Sequence, residues 1–226
     1  VFTSAGSPKK WTPFLKEHGM TVVHVVSSSL FAVKCEEAGV DAIVAEGFEA
    51  GGHNGREETT TLCLIPAVRR ATSLPLIAAG GIGTGDAILA TFALGAEGVQ
   101  IGTRFALTEE SSAHENFKQL CLSLNEGDTK LLLKKLAPTR LAKGDFKTAV
   151  EEAEAQGASV EDMCALLGKG RAKKGIFEGN LEEGELEIGQ VAALFRKEQT
   201  VSEVMEELVA DYRKALAGLN NEANLF

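Results

Sequence analysis

The sequence predicts a parallel α/β fold and, within that class, a (β/α) barrel. Short apolar runs alternate with helical patterns, so strand starts recur at roughly the length of one βα unit. The runs are continuously apolar, which indicates strands buried on both faces. Glycines follow several of the later strands. This favours a barrel, whose loops gather at one end, over a doubly wound sheet with one glycine-rich turn after its first strand.

Five segments carry the strand pattern. Each is an apolar run that ends in glycine or a small polar residue, and the predicted strands cover Val1–Gly6, Thr21–Ser27, Ala42–Gly47, Leu76–Gly81 and Gly98–Thr103. Helices are predicted over Leu30–Ala38 and Asp86–Leu94, because glycine just past a helix is a common stop signal. The first run already resembles a core strand, which needs neighbours on both sides, so we expect that an N-terminal segment is missing from this chain.

Beyond Phe105 the pattern changes. Residues 106–226 are charged, rich in helical signals and lacking in strand signals. We therefore expect two domains, the C-terminal part of a barrel over residues 1–105 and a helical appendage over residues 106–226 that returns to the barrel. A helix should begin at Ser159 and end at Gly168, and Thr200-Val-Ser-Glu203 has the pattern of a capping box. The tail Asn220–Phe226 is expected to fray.

Composition excludes several classes of function. The 226 residues are 44% hydrophobic and 24% charged, which is typical of a globular protein. The net charge of −9 disfavours nucleic acid and anionic membranes as partners. No apolar run approaches the roughly 20 residues of a membrane span. The four cysteines form no C-x-x-C pair and are interpreted as reduced packing thiols, so a cytoplasmic location is expected.

The stretch from Glu46 to Gly55 is the strongest catalytic candidate. An apolar strand leads into a carboxylate and then into a flexible glycine-rich turn that presents His53. Histidine changes charge near neutral pH and can therefore exchange a proton during turnover. The alternative is a glycine-rich surface loop that happens to carry a histidine. A metal site is not expected, because no second histidine or cysteine lies at ligand spacing.

The other histidines carry weaker signals. His18 and His114 are expected at the surface. His24 lies inside a strand, where a core imidazole with a hydrogen-bond partner and a ligand contact are equally open.

Two later strand ends predict an anion site. Gly80 and Gly81 lie just before a helix start, and Gly102 and Thr103 end the next strand. Unobstructed amides and a helix N-terminus together attract anions, and barrels often hold a phosphate after their last strands. The alternative is a pair of tight turns that need positive φ angles. No P-loop is present, because the sequence lacks the Gly-Lys-Ser/Thr ending.

Three motifs in order resemble the FMN-dependent nitronate monooxygenases, formerly called 2-nitropropane dioxygenases, and the related flavin-dependent enoyl-acyl-carrier-protein reductases. The motifs are Ala45-Glu-Gly-Phe-Glu-Ala-Gly-Gly-His53, Ala78-Ala-Gly-Gly-Ile82 and Val99-Gln-Ile-Gly-Thr-Arg-Phe105. The resemblance implies a TIM barrel with a helical region over the flavin. Members begin with a strand ending in Gly-Gly-Met, which is absent here, so this chain corresponds to the barrel from its fourth strand.

The resemblance also implies roles for individual residues. The FMN phosphate would be held by Gly80, Gly81, Gly102 and Thr103, and the flavin or its ribityl chain would be contacted by Glu46 and Gln100. His53 matches the catalytic histidine of the family.

The implied activity has three alternatives. The first is oxidation of alkyl nitronates with O2, and the second is NAD(P)H-dependent reduction of an enoyl thioester in fatty acid synthesis. The third is a truncated, non-catalytic fragment. Small-molecule substrates and a possible homodimer are the expected partners.

Overall fold

The computed structural model describes residues 1–219, which fold as two compact units. The first contains Val1–Phe48, Glu57–Ile101 and the chain from Glu206, and the second contains Glu49–Arg56 and Gly102–Met205. The boundary expected after Phe105 stays a prediction about domain organisation. The tail Asn220–Phe226, for which fraying was predicted, lies outside the described residues.

The first unit is a parallel sheet with flanking helices. Its strands are β1 (Phe2–Thr3), β2 (Val23–Val26), β3 (Ala42–Glu46), β5 (Leu76–Ala79) and β6 (Gly98–Gln100), in the spatial order β1-β2-β3-β5-β6. All neighbouring pairs are parallel. The five predicted strands are therefore confirmed, with shorter ends. The described strands of this unit form an open sheet.

Four helices and part of a fifth cover this sheet. They are α1 (Thr12–Glu17), α2 (Ser29–Glu37), α3 (Thr61–Ala71), α4 (Gly85–Ala93) and the part of α9 (Val201–Leu219) from Glu206 onward. The helices predicted over Leu30–Ala38 and Asp86–Leu94 are confirmed as α2 and α4. Core side chains include Ile43 from β3 and Leu64, Ile65 and Val68 from α3, all almost fully buried.

One glycine fixes the packing of α4 against α9. A Cβ atom on Gly85 would lie 2.1 Å from the backbone nitrogen of Tyr212. Any side chain at this position would push the two helices apart, so glycine is required by their close approach.

The second unit contains a small antiparallel sheet and several helices. Its strands are β4 (Gly52–His53), β7 (Thr129–Leu132) and β8 (Thr139–Ala142), in the order β4-β8-β7. Its helices are α5 (Thr103–Ala106), α6 (Glu115–Leu122), α7 (Asp145–Ala155), α8 (Val160–Leu167) and the first residues of α9. Short helical turns also cover Lys173–Phe177 and Gln190–Leu194.

The prediction that residues 106–226 contain no strands is wrong, because β7 and β8 lie there. Each strand has only four residues and carries a basic side chain, Lys130 in β7 and Arg140 in β8, so neither forms a continuous apolar run. The helix signals in this region are confirmed. Ser159 and Asp162 form a capping box at α8, and Gly168 ends that helix.

The described residues contain no helix that is long and apolar enough to cross a membrane. Cys35 and Cys121 are buried free thiols, and Cys63 and Cys164 are exposed free thiols.

Candidate active site

Four of the predicted flavin-site residues lie together at the carboxyl edge of the parallel sheet. The strand register places Glu46 beside Ala79, and Ala79 beside Gln100. Gly80 and Gly81 follow Ala79 directly. In parallel α/β proteins, ligands bind outside the carboxyl ends of the strands. The geometry therefore offers Glu46, Gly80, Gly81 and Gln100 to a common ligand.

The turn between β5 and α4 depends on glycine. Gly80 has φ +90° and Gly81 has φ +70°, both in the left-handed region. A Cβ atom on Gly80 would lie 2.6 Å from the carbonyl oxygen of Gly47 at the end of β3. The Thr61 hydroxyl donates a hydrogen bond of 2.7 Å to the carbonyl of Gly80 and fixes the turn to the start of α3. Glycine at position 80 is thus explained by the turn itself.

The same turn presents backbone donors that the described part of the chain does not use. Ile82 and Gly83 are buried, and their amides donate no hydrogen bond to any described residue. Buried amides normally find an acceptor, and successive amides in a turn form a concave site for an anion. The chemistry of this turn therefore fits a phosphate group.

A carboxylate limits where that phosphate could lie. Asp86, in the first turn of α4, accepts hydrogen bonds from the Thr84 hydroxyl and from the Ala87 amide at 2.9 Å. The hydrogen bond from Thr84 lowers the pKa of Asp86, so a negative charge is present at this helix start. A bound phosphate would be repelled from the helix end and confined to the turn before it.

Glu46 and Gln100 offer polar groups at the same edge. Glu46 is half-buried, and burial raises the pKa of its carboxyl group. Gln100 is also half-buried. Neither side chain forms a hydrogen bond with another residue of the range 1–219. Both side chains therefore have hydrogen-bonding capacity available for a polar ligand.

His53 lies on a strand and not on the flexible turn that its glycines predicted. β4 pairs with β8 in antiparallel register, with Gly52 opposite Arg140 and His53 opposite Thr139. The Asn54 amide extends the ladder by donating to the Pro138 carbonyl at 2.8 Å. The expectation of a mobile backbone is therefore corrected. The His53 side chain itself is exposed.

Two further side chains clamp this segment. Arg140 is only 1% exposed, and its Nε donates to the Ala50 carbonyl at 3.1 Å. The Asn54 side-chain amide donates to the carbonyls of Ala50 and Gly52 at 2.9 and 3.0 Å. Arg140 could not be predicted, because a single arginine in the sequence gives no sign of whether it is buried against a backbone carbonyl or exposed to solvent.

A cavity of about 170 Å³ lies beside His53 within the second unit. Its walls combine apolar side chains with His53, Glu185 and Arg171, and they include Leu133, Thr139 and Leu167. Glu185 is 7% exposed, and burial together with the nearby Glu187 charge raises the pKa of its carboxyl group. Glu185 and Glu187 were also missed. The only signal was two carboxylates at alternating positions in a glycine-flanked segment.

Gly102 and Thr103 belong to the second unit, at the head of the four-residue helix α5. The Thr103 hydroxyl accepts a hydrogen bond of 3.1 Å from the Gly189 amide. Gly102 is exposed with φ −98°, and a Cβ atom there would meet nothing within 4 Å. The fold of the unit thus does not require glycine at position 102, which leaves close approach of a ligand as a reason for it.

The other three histidines differ in their exposure. His18 and His114 are exposed, as predicted. His24 is 6% exposed, and its Nδ1 is hydrogen-bonded to the Thr3 hydroxyl at 2.7 Å. The structure therefore shows His24 as a core imidazole with a hydrogen-bond partner, one of the two interpretations left open by the sequence. In the part of the chain that the structure describes, no group of three or more His, Cys, Asp or Glu residues could hold a metal ion.

Comparison with protein families gives one match over most of the chain. The model of the nitronate monooxygenase family matches residues 1–211. A probable nitronate monooxygenase of Staphylococcus aureus is 36% identical over 156 residues, which are 66% of this chain and 43% of the relative. The chain therefore spans less than half the length of this curated relative.

Comparison with solved structures shows the same parallel α/β architecture. FabK from Thermotoga maritima superposes with a TM-score of 0.90 at 36% identity, over 97% of this chain and 69% of that chain. Nitroalkane oxidase from Streptomyces ansochromogenes superposes with a TM-score of 0.76 at 28% identity, over 97% of this chain and 64% of that chain. The predicted fold class is confirmed by these neighbours.

Proposed function

The chain belongs to the nitronate monooxygenase family, and on that premise we propose that it forms the part of an FMN-dependent oxidoreductase that holds the flavin phosphate and the catalytic histidine. The observation that carries the proposal is the turn after β5, where two buried amides lie beside the carboxyl edge of the sheet. Family membership supports oxidoreductase chemistry, and the turn supplies a place for the phosphate of its cofactor.

The residues present fit FMN. The phosphate would be held by the amides of Ile82 and Gly83, with Gly80 and Gly81 allowing the backbone to approach. Gly102 and Thr103 would contribute a second glycine and a hydroxyl, and Glu46 and Gln100 would contact the flavin or its ribityl chain. These residues would hold the flavin, which would supply the electron-transfer chemistry between the substrate and O2.

His53 is proposed as the residue that handles protons at the substrate. Its exposed imidazole stands at the end of a rigid hydrogen-bonded segment, so its position is fixed while its ring remains accessible. It would act as a base or as a hydrogen-bond donor to the substrate. The Arg140 and Asn54 side chains would hold it in place by binding the carbonyls of the preceding loop.

The proposed substrate is an alkyl nitronate that is oxidised with O2. The curated relative supports this choice by its name, as does the nitroalkane oxidase neighbour. The second candidate is reduction of an enoyl thioester with NAD(P)H. It is favoured by the TM-score of 0.90 with FabK, because the family includes enoyl-acyl-carrier-protein reductases.

Two assays on the FMN-loaded protein separate these candidates. We expect O2 consumption with an alkyl nitronate and no NAD(P)H oxidation with a crotonyl thioester. Enoyl reduction without nitronate oxidation would reverse the order. A correctly folded protein that binds no flavin would overturn both and leave the non-catalytic fragment.

The substitution His53→Ala tests the catalytic role. We expect the variant to retain FMN and to lose turnover by about 100-fold or more, the usual contribution of a positioned acid or base. The measurement is steady-state O2 uptake together with the flavin absorption spectrum. The matched control is His18→Ala, since His18 is another exposed histidine and lies at the C-terminal end of α1, in the connection to β2. Equal activity of His53→Ala and the parent protein would remove His53 from the mechanism.

A further inference from the structure

Two carboxylates beside His53 have no part in the function proposed so far. We propose that Glu185, supported by Glu187, is a positioning residue that exchanges a proton with His53 through the cavity the two side chains share. The exchange would return the imidazole to its working protonation state after each turnover. This inference rests on the proposed role of His53.

The first support is the shared cavity. His53 and Glu185 both line the cavity of about 170 Å³, and only 7% of the surface of Glu185 is exposed. Across residues 1–219, no group donates a hydrogen bond to the Glu185 carboxyl group, whose oxygens reach the cavity instead. Burial of the side chain disfavours the ionised form, so this carboxyl group takes up a proton more readily than an exposed one. A space of this size also accommodates several water molecules, which can pass a proton between the two side chains.

The second support is the backbone that fixes these carboxylates. An isolated antiparallel bridge pairs Glu187 with Leu141 of β8, the strand that also pairs with His53. A Cβ atom on Gly52 would lie 2.5 Å from Oε2 of Glu187, so the carboxylate lies against the residue next to His53. Gly52 also has φ +72°. Glu187 is thus held by the sheet that carries His53, and the Ala142 amide donates to the carbonyl of Leu186 at 2.8 Å, directly after Glu185 in the chain.

The charges around the cavity favour this exchange. Burial first, and then the Glu187 charge, raise the pKa of Glu185, while His53 and Arg171 lower it. Burial also raises the pKa of Glu187, and His53 lowers it. The Arg171 side chain is fixed in position, because its Nε donates hydrogen bonds to the carbonyls of Leu166 and Leu167. A carboxyl group with a raised pKa accepts a proton more readily from a neighbouring imidazole.

The exchange is a simple proton transfer. One N–H bond of the His53 ring breaks and one O–H bond forms on a Glu185 oxygen, either directly or through water in the cavity. Glu185 then releases this proton to water in the cavity, which restores its carboxylate and leaves His53 neutral. No electron moves and no other reactant is needed.

The kinetic test uses Glu185→Gln in the FMN-loaded full chain. We expect kcat to fall by about tenfold or more, with KM unchanged, because the amide keeps the shape of the side chain and cannot exchange a proton in this way. Glu185→Asp should retain part of the kcat that Glu185→Gln loses, because it keeps a carboxyl group. The control Glu183→Gln removes an exposed carboxylate that pairs with Lys174, and it should leave kcat unchanged. A raised KM with an unchanged kcat would make Glu185 a ligand-binding residue and overturn the relay.

A second test needs no flavin. Carboxyl ¹³C resonances of glutamate-labelled protein report the titration of Glu185, assigned by comparison with Glu185→Gln. We expect His53→Gln to raise the pKa of Glu185, because the imidazole lowers it in the parent protein. An unchanged pKa of Glu185 in the variant His53→Gln would overturn the inference. Loss of turnover in His53→Ala with this coupling absent would leave the proposed function standing and the relay refuted. Coupling with full turnover in His53→Ala would refute both the proposed function and the role of the relay in it.

Discussion

Glycine serves two different purposes at the proposed flavin site. Gly80 is required by its own turn, since it has φ +90° and lies against the backbone of Gly47. Gly102 is not required by the described structure, because its φ is −98° and a Cβ atom there would have open space. Substitution can therefore separate a glycine that folds the chain from one that admits a ligand.

Gly80→Ala should destabilise the first unit by about 2–4 kcal/mol, because the methyl group adds both a strained φ angle and a backbone clash. Gly102→Ala should change stability by less than about 0.5 kcal/mol, as expected of an exposed site without contacts. Urea unfolding of both variants measures the difference.

The same pair tests the cofactor site. If Gly102 admits the phosphate, Gly102→Ala should weaken FMN binding while leaving the fold intact, which a flavin fluorescence titration would show. Unchanged FMN affinity would remove Gly102 from the proposed site. Equal stability losses in the two variants would contradict the distinction drawn between them.

At the residue scale, the sequence predicted which polar groups and glycines come at the ends of the parallel strands. Glu46, Gly80 and Gln100 could be grouped in advance, because neighbouring parallel strands end at one edge. Glu185 could not be identified, since its importance depends on burial in a cavity formed by residues distant in sequence. Arg140 was hidden for the same reason. The flavin role of Glu46, Gly80 and Gln100 and the proton-transfer role of Glu185 stay predictions.

At the scale of elements, β8 is the centre of the second unit's sheet. It pairs with β4 on one side and with β7 on the other, and its residue Leu141 forms the bridge to Glu187. One strand thus contacts both the proposed catalytic histidine and Glu187, the carboxylate proposed to support Glu185. The strand escaped prediction because its four residues include a buried arginine, and its stability comes from non-local pairing that no local pattern reveals.

Arg140→Met should detach the segment that carries His53. The substitution keeps much of the side-chain volume and leaves the buried Ala50 carbonyl without the Arg140 donor, so we expect a loss of about 2–4 kcal/mol in stability. Hydrogen exchange of the His53 and Asn54 amides should accelerate, and turnover should fall. The control is Arg56→Met, since Arg56 is exposed and donates to the carbonyls of Lys134 and Leu136. Similar exchange rates in the two variants would argue against Arg140 as the clamp.

On the scale of the whole molecule, the sequence predicted the parallel half of the chain better than the rest. Five strands and their order of appearance followed from continuous apolar runs, because parallel strands are buried on both faces and their pattern is local. The second unit contains two separate stretches of the chain, Glu49–Arg56 and Gly102–Met205. Their association depends on contacts between residues distant in sequence, about which helix and turn signals carry no information.

The stability of the whole chain should carry a signature of the buried Glu185. Its pKa in the folded state is raised above the ordinary value of 4.5, so between these two values the folded state binds more protons than the unfolded state. Stability from this group is therefore complete below pH 4.5 and is lost as the pH rises through the folded pKa.

Glu185→Gln removes this loss, because the amide stays neutral at every pH. The variant should gain stability relative to the parent protein as the pH rises from 4.5 to 8, and the difference should be constant below 4.5. Urea unfolding at several pH values measures it. Glu183→Gln should show the opposite sign and a small effect, since Lys174 lowers the pKa of the exposed Glu183. A stability difference for Glu185→Gln that does not vary with pH would show that Glu185 ionises as freely in the folded chain as in the unfolded one, and would contradict the raised pKa of this carboxyl group.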